Sequence, residues 1–184
     1  MQISDAQREV RDTYLNGAVG QLVSGLIWLA ASALGTFASH RQGILVLAFG
    51  GVCIFPLTVL ALKMTGRRGT LPAGHPMNAL AMQIAFTVPL VAPVVAAATL
   101  HRINWFFPAV SVVVGVHYLP FVFLYGMWQF AVLGALMLGG GILIAMQRPD
   151  SFAAAGWLGG ALLCAFALWV FPRHLRSRAA KATV

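Results

Sequence analysis

Acidic residues are nearly missing from this chain. Its 184 residues hold four Asp and Glu against twelve Lys and Arg, and charge of both signs makes up only 9% of it. A soluble domain carries roughly 25% charge, because its surface must be wetted. So few charges cannot coat a water-facing globule, and a soluble enzyme and a disordered tail are excluded. Cysteine is as scarce. Cys53 and Cys164 both lie deep in apolar runs, which excludes a disulfide-stapled scaffold and reads as small core side chains. No carboxylate sits inside an apolar run: Asp5, Glu9, Asp12 and Asp150 all fall in polar segments. An ion-coupled carrier therefore lacks its central part, and paired-carboxylate catalysis lacks its pair. His-Glu-x-x-His, Gly-x-Ser-x-Gly, Cys-x-x-Cys and phosphate-cradling glycine loops are missing too. No catalytic residue is assigned, and neither a metal nor a cofactor is expected.

Apolar residues are abundant, at 60% of the chain, with a mean hydropathy of +0.85. They fall in blocks about the length of a bilayer span. The expected fold is all-α, a polytopic helical membrane protein of about six transmembrane helices in one bundle. The net charge of +8 belongs at span ends, where basic side chains snorkel to headgroups, and nucleic acid is not an expected partner.

The chain reads as a single membrane domain, 1–184. Residues 4–15 form a short amphipathic helix: Ser4 as N-cap with Gln7 completing a capping box, Arg8 paired with Asp12, and Ala6, Val10 and Tyr14 as an apolar stripe. Ala31-Ser32-Ala33 mimics a signal cleavage site, but the preceding segment is not basic and the apolar stretch is too long, so a retained first span is expected. The spans are 17–37, 43–62, 78–100, 105–124, 127–146 and 152–171, followed by a basic tail, 172–184. Between Asn104 and Met146 no charge interrupts the chain. That stretch is too long for one crossing of a ~30 Å core, so it must fold back near Tyr125-Gly126-Met127, with Pro120 as the competing breaker. Nine of the twelve Lys and Arg fall on the side of the termini and the second-to-third loop. This predicts a multi-pass protein of the cell (inner) membrane with both termini cytoplasmic. His-Arg recurs at 40–41 and 101–102, each time in an outer loop, and reads as shared loop chemistry.

Within the spans, polar residues are few enough to name. At 100° per residue, Gly17, Gln21, Ser24, Trp28, Ser32 and Gly35 share one face of the first span, which should turn into the bundle because lipid does not solvate Gln21. The third span carries Asn78, Gln83 and Thr87, with Pro89 and Pro93 as kinking residues, as Pro56 is in the second. Ser111, Tyr118 and Tyr125 form a seven-residue row, with Gln129 a turn later. His117 is the one ionisable group placed deep inside, either a ligand contact or proton-handling group or a neutral imidazole bonded to a neighbouring helix. Ala131, Ala135 and Gly139, and Gly156 and Gly160, form small-residue faces suited to close helix contact.

Three functions follow. One is binding or passage of a small neutral, anionic or lipid-like ligand in a polar cavity lined by Gln21, Ser24, Trp28, Gln83, His117, Tyr118 and Tyr125. Another is a structural or assembly subunit that meets a membrane partner or a second copy through small-residue faces, with membrane lipids around it. The third is a lipid-modifying enzyme using His117 as acid/base beside Tyr118.

Two runs carry a resemblance: Gln21-Leu22-Val23-Ser24-Gly25-Leu26-Ile27-Trp28, and residues 117–127 from His117-Tyr118-Leu119-Pro120 through Tyr125-Gly126-Met127. Together they resemble an uncharacterised family of small bacterial integral membrane proteins, over most of the chain from Arg8 to Phe171. The resemblance implies no activity.

Overall fold

The computed structural model describes residues 2–182, with side chains as far as Phe171, so the side chains of the basic tail at 172–184 lie outside the described residues. Eight α-helices appear: α1 (Ile3–Tyr14), α2 (Ala18–Phe37), α3 (His40–Met64), α4 (Asn78–His101), α5 (Phe106–His117), α6 (Leu119–Tyr125), α7 (Gln129–Gln147) and α8 (Ala154–Ala182). Short 3-10 turns, Leu15–Gly17 and Ile103–Trp105, precede α2 and α5. No strand occurs among the described residues. Six helical stretches are long and apolar enough to cross a membrane, one of them the continuous run Ile103–Tyr125. This is the build of a multi-pass membrane protein.

Both candidate breakers act in that run, in different ways. Pro120 falls in the first turn of α6, just after Tyr118 separates it from α5. Proline contributes no N–H to the ladder, so the helix re-starts there without reversing. The reversal comes at Gly126, whose φ of +62° caps α6 in a left-handed conformation that glycine adopts readily.

α2 packs between α3 and α8, α5 between α4 and α7, and α7 closes against α8. Trp28, Phe107, Phe130, Leu133, Met137 and Leu163 fill the middle, each at most 2% exposed. The small side chains of α8 are spent inside the chain: Gly156 lies against Phe107 and Gly160 against Leu29. On α7, Gly139 faces open space. α3 and α4 are outer helices, with 11% of their span windows buried against 44% for α2 and α8. Cys53 is on this outer surface and is not a core residue. The apolar run around it reflects a lipid-facing helix, which looks the same in composition as a core.

The N-terminal helix departs in detail from its expected caps. α1 starts at Ile3 with Gln2 as N-cap and no side-chain cap, so Ser4 is already inside the helix. Gln7 donates its amide to the Phe123 carbonyl at 2.6 Å, and Arg11 donates to the Tyr125 carbonyl. The Phe123 carbonyl also accepts the Gly126 N–H at 3.3 Å, so a distant helix adds donors to the carbonyl end of α6. Arg8 pairs with Asp5 at 3.0 Å rather than with Asp12, whose carbonyl accepts from Arg67 at 2.6 Å. Ala6 and Val10 do form the buried stripe. The link into α2 is unusual: Leu15, Asn16 and Gly17 all have positive φ (54°, 57° and 82°). For leucine this conformation costs roughly 1–2 kcal/mol, and it is held by burial of all three residues and by Asn16 Nδ2 donating to the Val170 carbonyl at 3.3 Å.

At the opposite end, the two His-Arg loops converge on one segment. His40 stacks on Phe152 with ring centroids 4.1 Å apart. Arg102 pairs with Asp150 at 2.8 Å, and Asn104 donates to the Pro149 carbonyl at 3.3 Å. One loop uses its histidine and the other its arginine, so the repeated dipeptide does not mark a repeated contact.

Candidate functional site

The small and polar face of α2 turns inward as its periodicity requires: Gly17, Gln21, Ser24, Trp28, Ser32 and Gly35 are all buried, whereas Leu22 and Leu26 face out. The row on the fourth span does the same, with Ser111, Tyr118 and Tyr125 between 2% and 6% exposed. The two faces meet. Tyr118 donates its hydroxyl to Gln21 Oε1 at 2.7 Å, within the core, and Ser24, one turn along α2, is buried on the same face.

Around this polar pair the space is filled by rings. Tyr118, Phe121, Tyr125, Phe130 and Phe166 form a continuous aromatic cluster, with Phe121 stacked on Tyr125 at 5.7 Å, and Phe130 tilted against Tyr125 at 4.9 Å and against Phe166 at 4.8 Å. Trp28 lies further along α2, tilted 6.3 Å from Phe107 and closed off by Gly159, where a Cβ would meet its ring at 2.6 Å. An indole that needs a glycine opposite it is packed to contact and leaves no room beside it.

The remaining two candidates stand apart. His117 is half-buried, with its ring 5.1 Å from Phe121. Its ring lies beside the Ile84 backbone of α4, and Nδ1 is buried with no hydrogen-bond partner among the described residues. Gln83, the residue before Ile84, is exposed on the outer side of α4. Its amide bonds to no described residue, and its carbonyl accepts from Thr87 Oγ1 at 3.2 Å. Of the seven candidates, then, Gln21 and Tyr118 form one hydrogen-bonded pair, with Ser24 buried on the same face of α2 and Tyr125 in the adjoining cluster. Trp28 is a separate packing residue, His117 lies beside α4, and Gln83 faces away from them all.

A shallow apolar groove of about 320 Å³ opens elsewhere, between α7 and α8, lined by Leu133, Leu136, Leu162, Phe166 and Trp169 among others. It brings no polar side chain toward the Gln21–Tyr118 pair. No group of three or more His, Cys, Asp or Glu among the described residues is placed to hold a metal ion.

Sequence reasoning gave Gln7 a local capping role in place of its long-range tie, and it missed the other polar residues outside the spans that fix the ends: Arg11, Asn16, His75 and Asn104. Most of their partners are backbone carbonyls far away in the chain, which no spacing rule reveals. His75 had one signal, a histidine inside the Pro72–Pro76 turn, where a side chain is commonly held by its own backbone.

No curated protein and no solved structure matches this chain. Residues 3–173 match a family of unknown function, DUF7010, and the chain belongs to that family.

Proposed function

We propose that this protein is a membrane subunit that works by helix–helix association, with the outer face of α4 as its contact surface and Gln83 at the centre of that contact. The reading rests on the contrast between two glutamines. Gln21 is buried and bonded to Tyr118. Gln83 is exposed with its amide unbonded to any described residue, on a helix face that it shares with Leu90 and Val94, 75% and 66% exposed. Hydrocarbon offers such an amide no partner, and a neighbouring helix does. A carboxamide both donates and accepts, so it can pair with its own copy across a two-fold axis or with a polar residue of another span.

A carrier or receptor would need space beside the polar residues, and Gln21, Trp28, Tyr118 and Tyr125 are packed against rings and one another. That supports association over ligand passage. It equally disfavours an enzyme, since His117 meets Tyr118 and Phe121 through ring contacts alone, at 5.7 and 5.1 Å, and the Tyr118 hydroxyl is turned to Gln21. In this reading the protein sits in a bacterial inner membrane with both termini in the cytoplasm, supported by the placement of nine of the twelve Lys and Arg.

The test is cross-linking in reconstituted bilayers on a background with Cys53 and Cys164 replaced. Gln83→Cys should form intermolecular cross-links with a second copy or a co-purified membrane protein, while Leu143→Cys, on the exposed face of α7, should not. Gln83→Leu should weaken association about fivefold to thirtyfold, the range expected for one interhelical hydrogen bond. A chain that stays monomeric at every protein-to-lipid ratio, without cross-links at position 83, overturns the proposal.

A further inference from the structure

The segment between α3 and α4 folds back under α1 and places one histidine in an unusual position. His75 is 6% exposed, although it lies in a loop outside the spans. Its Nδ1 accepts the Met77 N–H at 3.2 Å, and its carbonyl accepts the Asn78 N–H at 3.0 Å. Met77 is the N-cap of α4 and has no side chain able to cap it, so His75 supplies what the helix start lacks. On its other edge, Nε2 lies 3.1 Å from Glu9 Oε2 of α1, without the alignment of a hydrogen bond. An Nδ1 that accepts carries no proton, which puts the proton of the neutral ring on Nε2.

We propose that His75 is a proton-operated latch between the N-terminal helix and the start of α4. In the neutral ring one edge holds Met77 and the other faces Glu9. Protonation adds a hydrogen to Nδ1, so two N–H groups then point at each other and the Met77 contact is lost. The imidazolium is meanwhile attracted to the Glu9 carboxylate. Acid therefore transfers the His75 ring from α4 to α1 and releases the Met77 N–H at the start of α4, the helix whose outer face carries Gln83.

Glu9 is the charged group that faces the ring from α1. The neighbouring Asp5 is engaged by Arg8, and Arg11 by the Tyr125 carbonyl. From the loop itself, Arg67 reaches the Asp12 carbonyl. α4 has no charged residue in its first turn, and its Asn78 side chain donates to the Pro72 carbonyl at 2.9 Å. The turn after α6 carries no charge. Among these groups, His75 is the one whose protonation changes both the Met77 and the Glu9 contacts.

Hydrogen exchange of the full chain in nanodiscs tests this. The amides of Met77 and Asn78 are followed from about pH 8 to pH 5 and compared at each pH with His75→Asn, whose amide oxygen can still cap but cannot titrate. Exchange in the native protein relative to His75→Asn should rise about tenfold on acidification, the loss of roughly one hydrogen bond. Glu9→Gln should keep the step and move its midpoint to lower pH, because the cation loses its counter-charge. Native and His75→Asn proteins responding in parallel, or a midpoint unmoved by Glu9→Gln, would overturn the latch. The Glu9→Gln arm stands even where His75→Asn fails to fold.

Discussion

Gly115 and Gly134 face each other across the α5–α7 contact. A Cβ on Gly115 would lie 2.7 Å from the Gly134 carbonyl oxygen, and one on Gly134 would lie 2.6 Å from that of Gly115. Both obstacles are backbone, which cannot turn aside. The two helices therefore touch main chain to main chain, the geometry that small residues permit in membranes.

Gly115→Ala should accordingly destabilise the fold by about 2–3 kcal/mol, at the upper end of overpacking costs. Adding Gly134→Ala should cost much less than its separate effect, because helices already pushed apart have room for the second methyl. Gly139→Ala, which meets nothing within 4 Å, should instead stabilise by about 0.5–1 kcal/mol through helix propensity. Reversible unfolding in mixed micelles measures all four variants.

Tyr118→Phe removes the donor from Gln21 Oε1 and strands a buried carbonyl oxygen. The expected loss is about 1–2 kcal/mol. Pairing it with Gln21→Leu should recover part of that loss, since replacing both partners removes the orphaned group. A double mutant as weak as the sum of the two singles would show that the pair does not act as a unit. The same unfolding cycle decides it.

Gly126→Ala should loosen the N-terminal helix as well as the turn. Its φ of +62° strains any side chain, and its Cβ would press within 2.5 Å of Gln7 Oε1 and 3.1 Å of the Arg11 guanidinium. A loss of about 1–2 kcal/mol is expected from the backbone alone. Limited proteolysis after Arg8 and Arg11 should accelerate in this variant and stay unchanged in Gly139→Ala.

Much of the architecture was readable because hydrocarbon leaves the chain few options. Six apolar stretches, the reversal at Gly126 and the inward face from Gly17 to Gly35 all follow from length, breakers and the 3.6-residue period. The same reasoning failed for Gln83, because it assumes that every polar side chain is satisfied within its own chain. It failed for Cys53 because lipid-facing and core residues are alike in composition. Of the candidate site, periodicity placed Gln21 and Tyr118 on inward faces but could not say that they would bond each other. That depends on how α2 and α5 are set against one another, which the packing of side chains decides.

The ties of α1 also set an order of events during synthesis. Gln7 and Arg11 meet carbonyls 116 and 114 residues further along the chain. At 5–20 residues per second, their partners leave the ribosome on the order of ten seconds later. Until then the first helix can hold only to the segment before α4, through Arg67 on the Asp12 carbonyl and His75 beside Glu9. The first helix therefore completes its contacts in two stages, the second only after α6 has emerged.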